Sequence, residues 1–167
     1  MPVISINLVI LLILVGWNQD SKVIARSRLD GRIQFRSKQG GQWVEHPDTP
    51  GVVIRNVDDL VAACRVKEGI KDPGQLSAIL AKEFRVDKID WQTQMVVAID
   101  LGRAEVSLET GPLKDHGWNL VLHYVLNYHL GGEPPPRVFW GEMMLVERID
   151  REIRFRRTFT TSGRSHK

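Results

Sequence analysis

A single cysteine, Cys64, stands in the 167-residue chain, so an intramolecular disulfide and a cysteine-paired metal site are both excluded. Catalytic signatures are missing as well. There is no HExxH and no GxSxG, and no serine occupies a recognisable strained elbow. Gly40-Gly41 and Gly131-Gly132 lack the spacing and the following helix of a phosphate-binding loop. Cys64 itself closes the run Val57, Leu60, Val61, Cys64, a helical stripe at i, i+3, i+4 and i+7. That position predicts a buried, inert thiol.

The remaining acid–base groups are scattered. His123 and His129 share a strand face but lie ~20 Å apart along an extended strand, too far for one metal unless the strand folds back at Asn127. Asp87 and Asp90 read as residues flanking a turn, and Asp100 stands apart from both. No cofactor is implied. Hydrophobic runs are short too. The nonpolar run 8–17 (LVILLILVGW) is well under the ~20 residues of a membrane-spanning helix. Its length suits a signal-peptide core, and Val23-Ile24-Ala25 supplies the small or aliphatic residues read by a signal peptidase. We expect cleavage after Ala25; an uncleaved anchor holding residues 3–17 in a membrane and a buried first strand are the alternatives. With no cysteine nearby, a lipoprotein anchor is excluded.

What is present describes a globular chain, 43% hydrophobic and 26% charged, with a net charge of +3. Residues 148–167 hold seven Lys/Arg against two Asp/Glu, so the positive charge gathers at the C-terminus. The chain is organised around residues 86–102, VDKIDWQTQMVVAIDLG. Met95, Val97, Ile99 and Leu101 alternate onto one face, and Gln94, Val96, Ala98 and Asp100 onto the other. Both faces carry apolar residues, which predicts a central strand covered on both sides.

Around it the pattern alternates and breaks. Ile33 and Phe35 predict a short strand, residues 38–42 a hairpin turn into Trp43-Val44, and residues 52–54 another strand. Asn56 caps a predicted helix over 57–66. Asp72-Pro73-Gly74-Gln75 starts a second helix, with Leu76, Ile79, Leu80 and Phe84 on one face. Residues 104–109 alternate weakly and 109–117 read as turn. Residues 118–130 give the longest strand pattern, one strand or two joined by a bend near Asn127, with Leu120, Leu122, Tyr124 and Leu126 pointing one way. GGEPPP (131–136) is a stiff connector. Strands follow over 138–149 and 152–159, the last with Ile153, Phe155 and Phe159 inward.

Two surfaces are candidates for binding. Trp118, Pro134, Pro135, Pro136 and Trp140 lie in or beside loops joining the C-terminal strands and suit protein recognition. Arg148, Arg151, Arg154 and Arg156 form a basic row for anionic ligands, without the interleaved exposed aromatics of single-strand nucleic-acid binders, so nucleic acid is not expected.

The order helix, W-x-x-x-MVV-x-x-x-LG (Trp91 to Gly102), NLVLHYVL, GGEPPP and MMLVERI resembles the PrcB-type C-terminal domain family. That family is named for a small accessory subunit of a bacterial surface protease complex. The resemblance covers about 57–150. Family members usually carry Thr-Gly-Gly-Tyr soon after the LG, where residues 103–109 here read RAEVSLE, so no functional residue carries over. The resemblance implies an exported, non-catalytic α+β domain.

The expectations are therefore these. The fold is α+β, a single domain with a largely antiparallel sheet and two consecutive helices packed on it. Residues 1–25 are a signal peptide or membrane anchor, 26–160 the domain, and 161–167 a disordered basic tail. The function is that of an exported, non-catalytic accessory domain, periplasmic or extracellular, binding another envelope protein such as a protease. An envelope enzyme joining His123 with Asp100, or a binder of anionic polymers through the C-terminal arginines, are the alternatives.

Overall fold

The computed structural model describes residues 22–39, 42–44, 50–67, 69–104, 106–130 and 139–163, with the backbone alone at 39, 43–44, 103–104, 128–130, 139–140 and 162–163. In chain order the elements are β1 (Val23–Leu29), β2 (Ile33–Phe35), β3 (Ser37–Gln39), β4 (Gln42–Val44), β5 (Gly51–Ile54), α1 (Val57–Ala63) and β6 (Cys64–Val66). Then come α2 (Pro73–Phe84), β7 (Gln94–Ala104), β8 (Val106–Asp115), β9 (Asn119–Leu130), β10 (Phe139–Glu147) and β11 (Glu152–Gly163).

A four-stranded antiparallel sheet, β1-β10-β7-β5, forms the middle of the molecule. The alternation along β7 dictates what covers it. Val96 and Ala98 point into one buried cluster with Leu60 of α1 and Leu76, Leu80 and Phe84 of α2. Met95, Val97 and Ile99 point into a second cluster with Leu113, Leu120, Leu122 and Tyr124 of a three-stranded sheet, β11-β9-β8. β10 alternates in the same way, with Met143 and Leu145 on the helix side and Met144 and Val146 on the other. The result is three layers: helices, central sheet, outer sheet. The class is α+β, and every strand pair is antiparallel except β9 with β11. The central strand is covered on both faces, as its sequence predicts.

Both helices are capped as expected. Asn56 Oδ1 accepts the Asp59 amide and Asp72 Oδ1 the Gln75 amide, each at 2.8 Å. The first helix is shorter than predicted. It stops at Ala63, and Cys64–Val66 turns into a strand paired with Ile33–Phe35, so β6 separates the two helices. An available strand partner overrides the local helical periodicity here.

Two further expectations are corrected and one open alternative is decided. Residues 109–117 are not a turn but the second half of β8, which passes Gly111-Pro112 at a register shift between Thr110 and Leu113. A proline is tolerated there because β8 is an outer strand and the shift is a bulge. Of the two readings of 118–130, one long strand or two joined by a bend near Asn127, the structure has the first: β9 pairs with β11 in unbroken register along its whole length. Phe159 shares the inward face of Ile153 and Phe155 but is 51% exposed, so it is not the core residue expected.

Two chain ends meet the described residues differently from the expected domain limits. The expected boundary at 25/26 falls inside β1, where Ala25 is paired with Leu145. β11 continues to Gly163, into the stretch expected to be a tail. Residues 3–17 lie outside the described residues. Among the described residues no helix is long and apolar enough to cross a membrane.

Candidate functional site

The hairpin joining β8 to β9 carries an exposed tip. Its tip is Asp115-His116-Gly117-Trp118-Asn119. The His116 amide donates to the Asn119 carbonyl at 3.0 Å, and Gly117 takes φ +82, a left-handed angle that favours glycine. Asp115 Oδ1 accepts the Gly117 amide at 2.7 Å. From the segment between β10 and β11, Arg151 donates to both Asp115 carboxylate oxygens, at 2.7 and 2.5 Å, and to the Gly117 carbonyl at 2.9 Å. These Arg151 donors, then the Gly117 amide, hold the Asp115 carboxyl below its usual range. The same contact pushes Arg151 further up. The tip is thus fixed by a bidentate ion pair, and it presents Trp118 at 91% exposure.

A tryptophan held in water by an ordered turn contributes nothing to a core. Its ~150–250 Å² of aromatic surface is instead available to a partner. Of the other sequence candidates for protein recognition, Pro134, Pro135 and Pro136 lie outside the described residues. Trp140 lies in β10, its side chain outside the described residues.

The four candidate anion-binding arginines divide into two pairs. Arg148 Nη1 donates to the carbonyls of Arg55 and Trp91, at 3.2 and 2.9 Å, and Nε to Asp150 at 3.1 Å. Arg151 holds the hairpin tip as described. Arg55 completes the lacing by donating to the carbonyls of Ile149 and Arg151, at 3.3 and 2.8 Å. Arg148 and Arg151 therefore bind the protein's own loops. Arg154 and Arg156 are exposed on the outer face of β11, Arg154 beside Glu152 at 3.0 Å.

Register places two residues beside them that the sequence reading did not gather. Arg154 pairs with Val121, which pairs with Lys114, and Arg156 pairs with His123. Lys114 was hidden because residues 109–117 read as a turn. The Asp115–Arg151 pair had no local signal at all, since it joins positions 36 residues apart.

The acid–base pairing of His123 with Asp100 is contradicted. His123 is exposed on the outer face of the outer sheet. Asp100 lies on the helix side of the central sheet, where its carboxylate accepts the Phe35 amide at 2.5 Å and the Gly102 amide at 2.8 Å. Two sheets stand between them. Cys64 is buried, and burial, with help from the Asp100 charge, pushes its thiol up to about 12. Two surface depressions, of about 530 and 510 Å³, are lined in one case mainly by polar surface, from Gln92, Thr93, Glu147 and Arg148, and in the other largely by apolar surface, around Arg32, Gln34, Arg65, Val66 and Lys67. Among the described residues no group of three or more His, Cys, Asp or Glu side chains could hold a metal ion.

The fold and the hairpin tip define a three-layer α+β domain with a presented aromatic. No protein-family model, no curated protein and no solved structure matches the chain. The likeness to the PrcB-type domain rests on the sequence pattern alone.

Proposed function

We propose that this chain is an exported accessory domain of the bacterial envelope that binds another protein and performs no reaction of its own. One observation carries the reading: Trp118 is almost fully exposed on a turn that Arg151 and Asp115 hold in place. Preorganisation of this kind lowers the entropy cost of association, and tryptophan is enriched among the residues that carry most of the binding energy in protein interfaces. The signal-like N-terminus supports export. The resemblance to a protease-complex subunit makes a surface protease the first partner to test.

The test is affinity capture of the tagged full chain from its own cells, with Trp118→Ala alongside. An envelope protein recovered by the wild type and lost, or reduced at least about tenfold, with Trp118→Ala supports the proposal. Equal recovery by both, or recovery of the chain alone, counts against it.

A further inference from the structure

Beside the hairpin tip runs β11, the outer strand of the outer sheet. It is 12 residues long and pairs with β9 in continuous register, with no bulge. Among the described residues no strand lies along its other edge. Edge strands are ordinarily kept short, bulged or covered, because an open edge offers a row of backbone N–H and C=O groups to any extended chain. From Arg156 to Thr161 every side chain of this one is exposed. The segment is rich in threonine and includes Phe159, which suits continued β-pairing.

From Arg154 onward the charged side chains along this edge are all basic. Arg154 and Arg156 lie on its outer face, with Lys114 in register across Val121. Arg157 lies on the opposite face, its guanidinium 4.5 Å from the Phe159 ring centre. The nearby acids are Glu152, which is paired with Arg154, and Glu109, which accepts from Asn127 at 3.1 Å on the far side of β9. An added strand would set its own side chains beside Arg154 and Arg156 on one face and beside Arg157 and Phe159 on the other. Carboxylates fit the first row, and an apolar residue fits the ring.

We infer that β11 is a docking edge for an extended acidic segment of the partner, which joins the outer sheet as a fourth strand next to Arg154, Arg156 and Arg157. The inference rests on the protein-binding reading above and names the chemistry of what is bound. Backbone pairing supplies affinity in this mode, and the charges select the sequence and its orientation. The competing explanation is that the arginines protect the edge from pairing at all.

The experiment titrates a labelled peptide as long as β11, alternating glutamate with valine, against the full chain. Its fully N-methylated form, a lysine-for-glutamate form and a linear polyphosphate of equal charge are titrated in parallel. We expect the glutamate peptide to bind, and the N-methylated and lysine forms to bind at least about tenfold more weakly. In the double variant Arg154→Glu/Arg156→Glu the preference should reverse towards the lysine peptide. Absence of binding by the glutamate peptide, equal binding of its N-methylated form, or polyphosphate binding as tightly would each overturn the inference. Capture of the partner by the wild type and by Trp118→Ala is measured alongside the titration. Thus an edge that fails with a hairpin still needed for partner capture is distinguished from failure of the protein-binding reading itself.

Discussion

Arg151 grips Asp115 through both carboxylate oxygens, at 2.7 and 2.5 Å, and in the same gesture holds the carbonyl that precedes Trp118. The segment leading into β11 thereby fixes the tip of the β8–β9 hairpin. Position and exposure of the tryptophan follow from an interaction between distant parts of the chain, not from the turn sequence alone.

That pair sets a pH dependence for the tip. The Asp115 carboxyl is lowered by folding, so it contributes stability fully above its unfolded value of about 3.9, and the contribution is lost as pH falls through the folded value. The Gly117 amide, bonded to the same carboxylate, should titrate below the ordinary carboxylate range when followed by NMR. Arg151→Ala should move that midpoint up towards the ordinary value. A midpoint at or above about 4 in the intact chain would contradict the structure.

Gly51 in β5 faces Phe155 in β11 without room for a side chain: a Cβ there would lie 2.2 Å from the ring Cγ. Gly51→Ala should destabilise the fold by about 1–3 kcal/mol through overpacking. Adding Phe155→Leu should recover part of that loss, although Phe155→Leu alone also destabilises. Denaturant midpoints of the two single variants and the double variant decide it; simple additivity would contradict the contact.

Asp100 ties β2 to the irregular end of β7, where Gly102 takes φ +60. Asp100→Ala leaves two amides without their acceptor and should cost about 1–3 kcal/mol. Hydrogen exchange reads the loss locally, with the Phe35 and Gly102 amides exchanging faster while those of α2 follow only the global change. Unchanged protection at both amides would rule the tether out.

Much of the fold was legible because one face or both of each strand is apolar. The alternation of Met95–Leu101 and of Leu120–Leu126 placed the two central strands. Asp72-Pro73-Gly74-Gln75 placed α2 at its observed start. What stayed hidden depends on partners. Cys64–Val66 is a strand only because Ile33–Phe35 lies alongside, and β8 continues through Pro112 only because it is an outer strand with a bulge. Trp118 was readable as a loop aromatic, whereas Arg148 and Arg151 looked like free cations until their carbonyl and carboxylate acceptors, distant in sequence, were placed.

β1 bears on how the N-terminus is processed. Cleavage after Ala25 would remove Val23 and Ala25 from their pairing with Val146 and Leu145. If the chain is processed on export, as proposed, it should keep this strand, so its first residue should lie at or before Val23. N-terminal sequencing of the mature protein checks this, and a chain beginning at Arg26 would contradict it.

The central claim is that Trp118 touches a partner protein. The most direct measurement replaces Trp118 with a photo-crosslinking phenylalanine analogue in the full chain and irradiates living cells, with the same analogue at Val61, 40% exposed on α1, as the comparison. The account predicts a light-dependent adduct with one envelope protein from position 118 and not from position 61. No adduct at 118, or the same adducts from both positions, would contradict it.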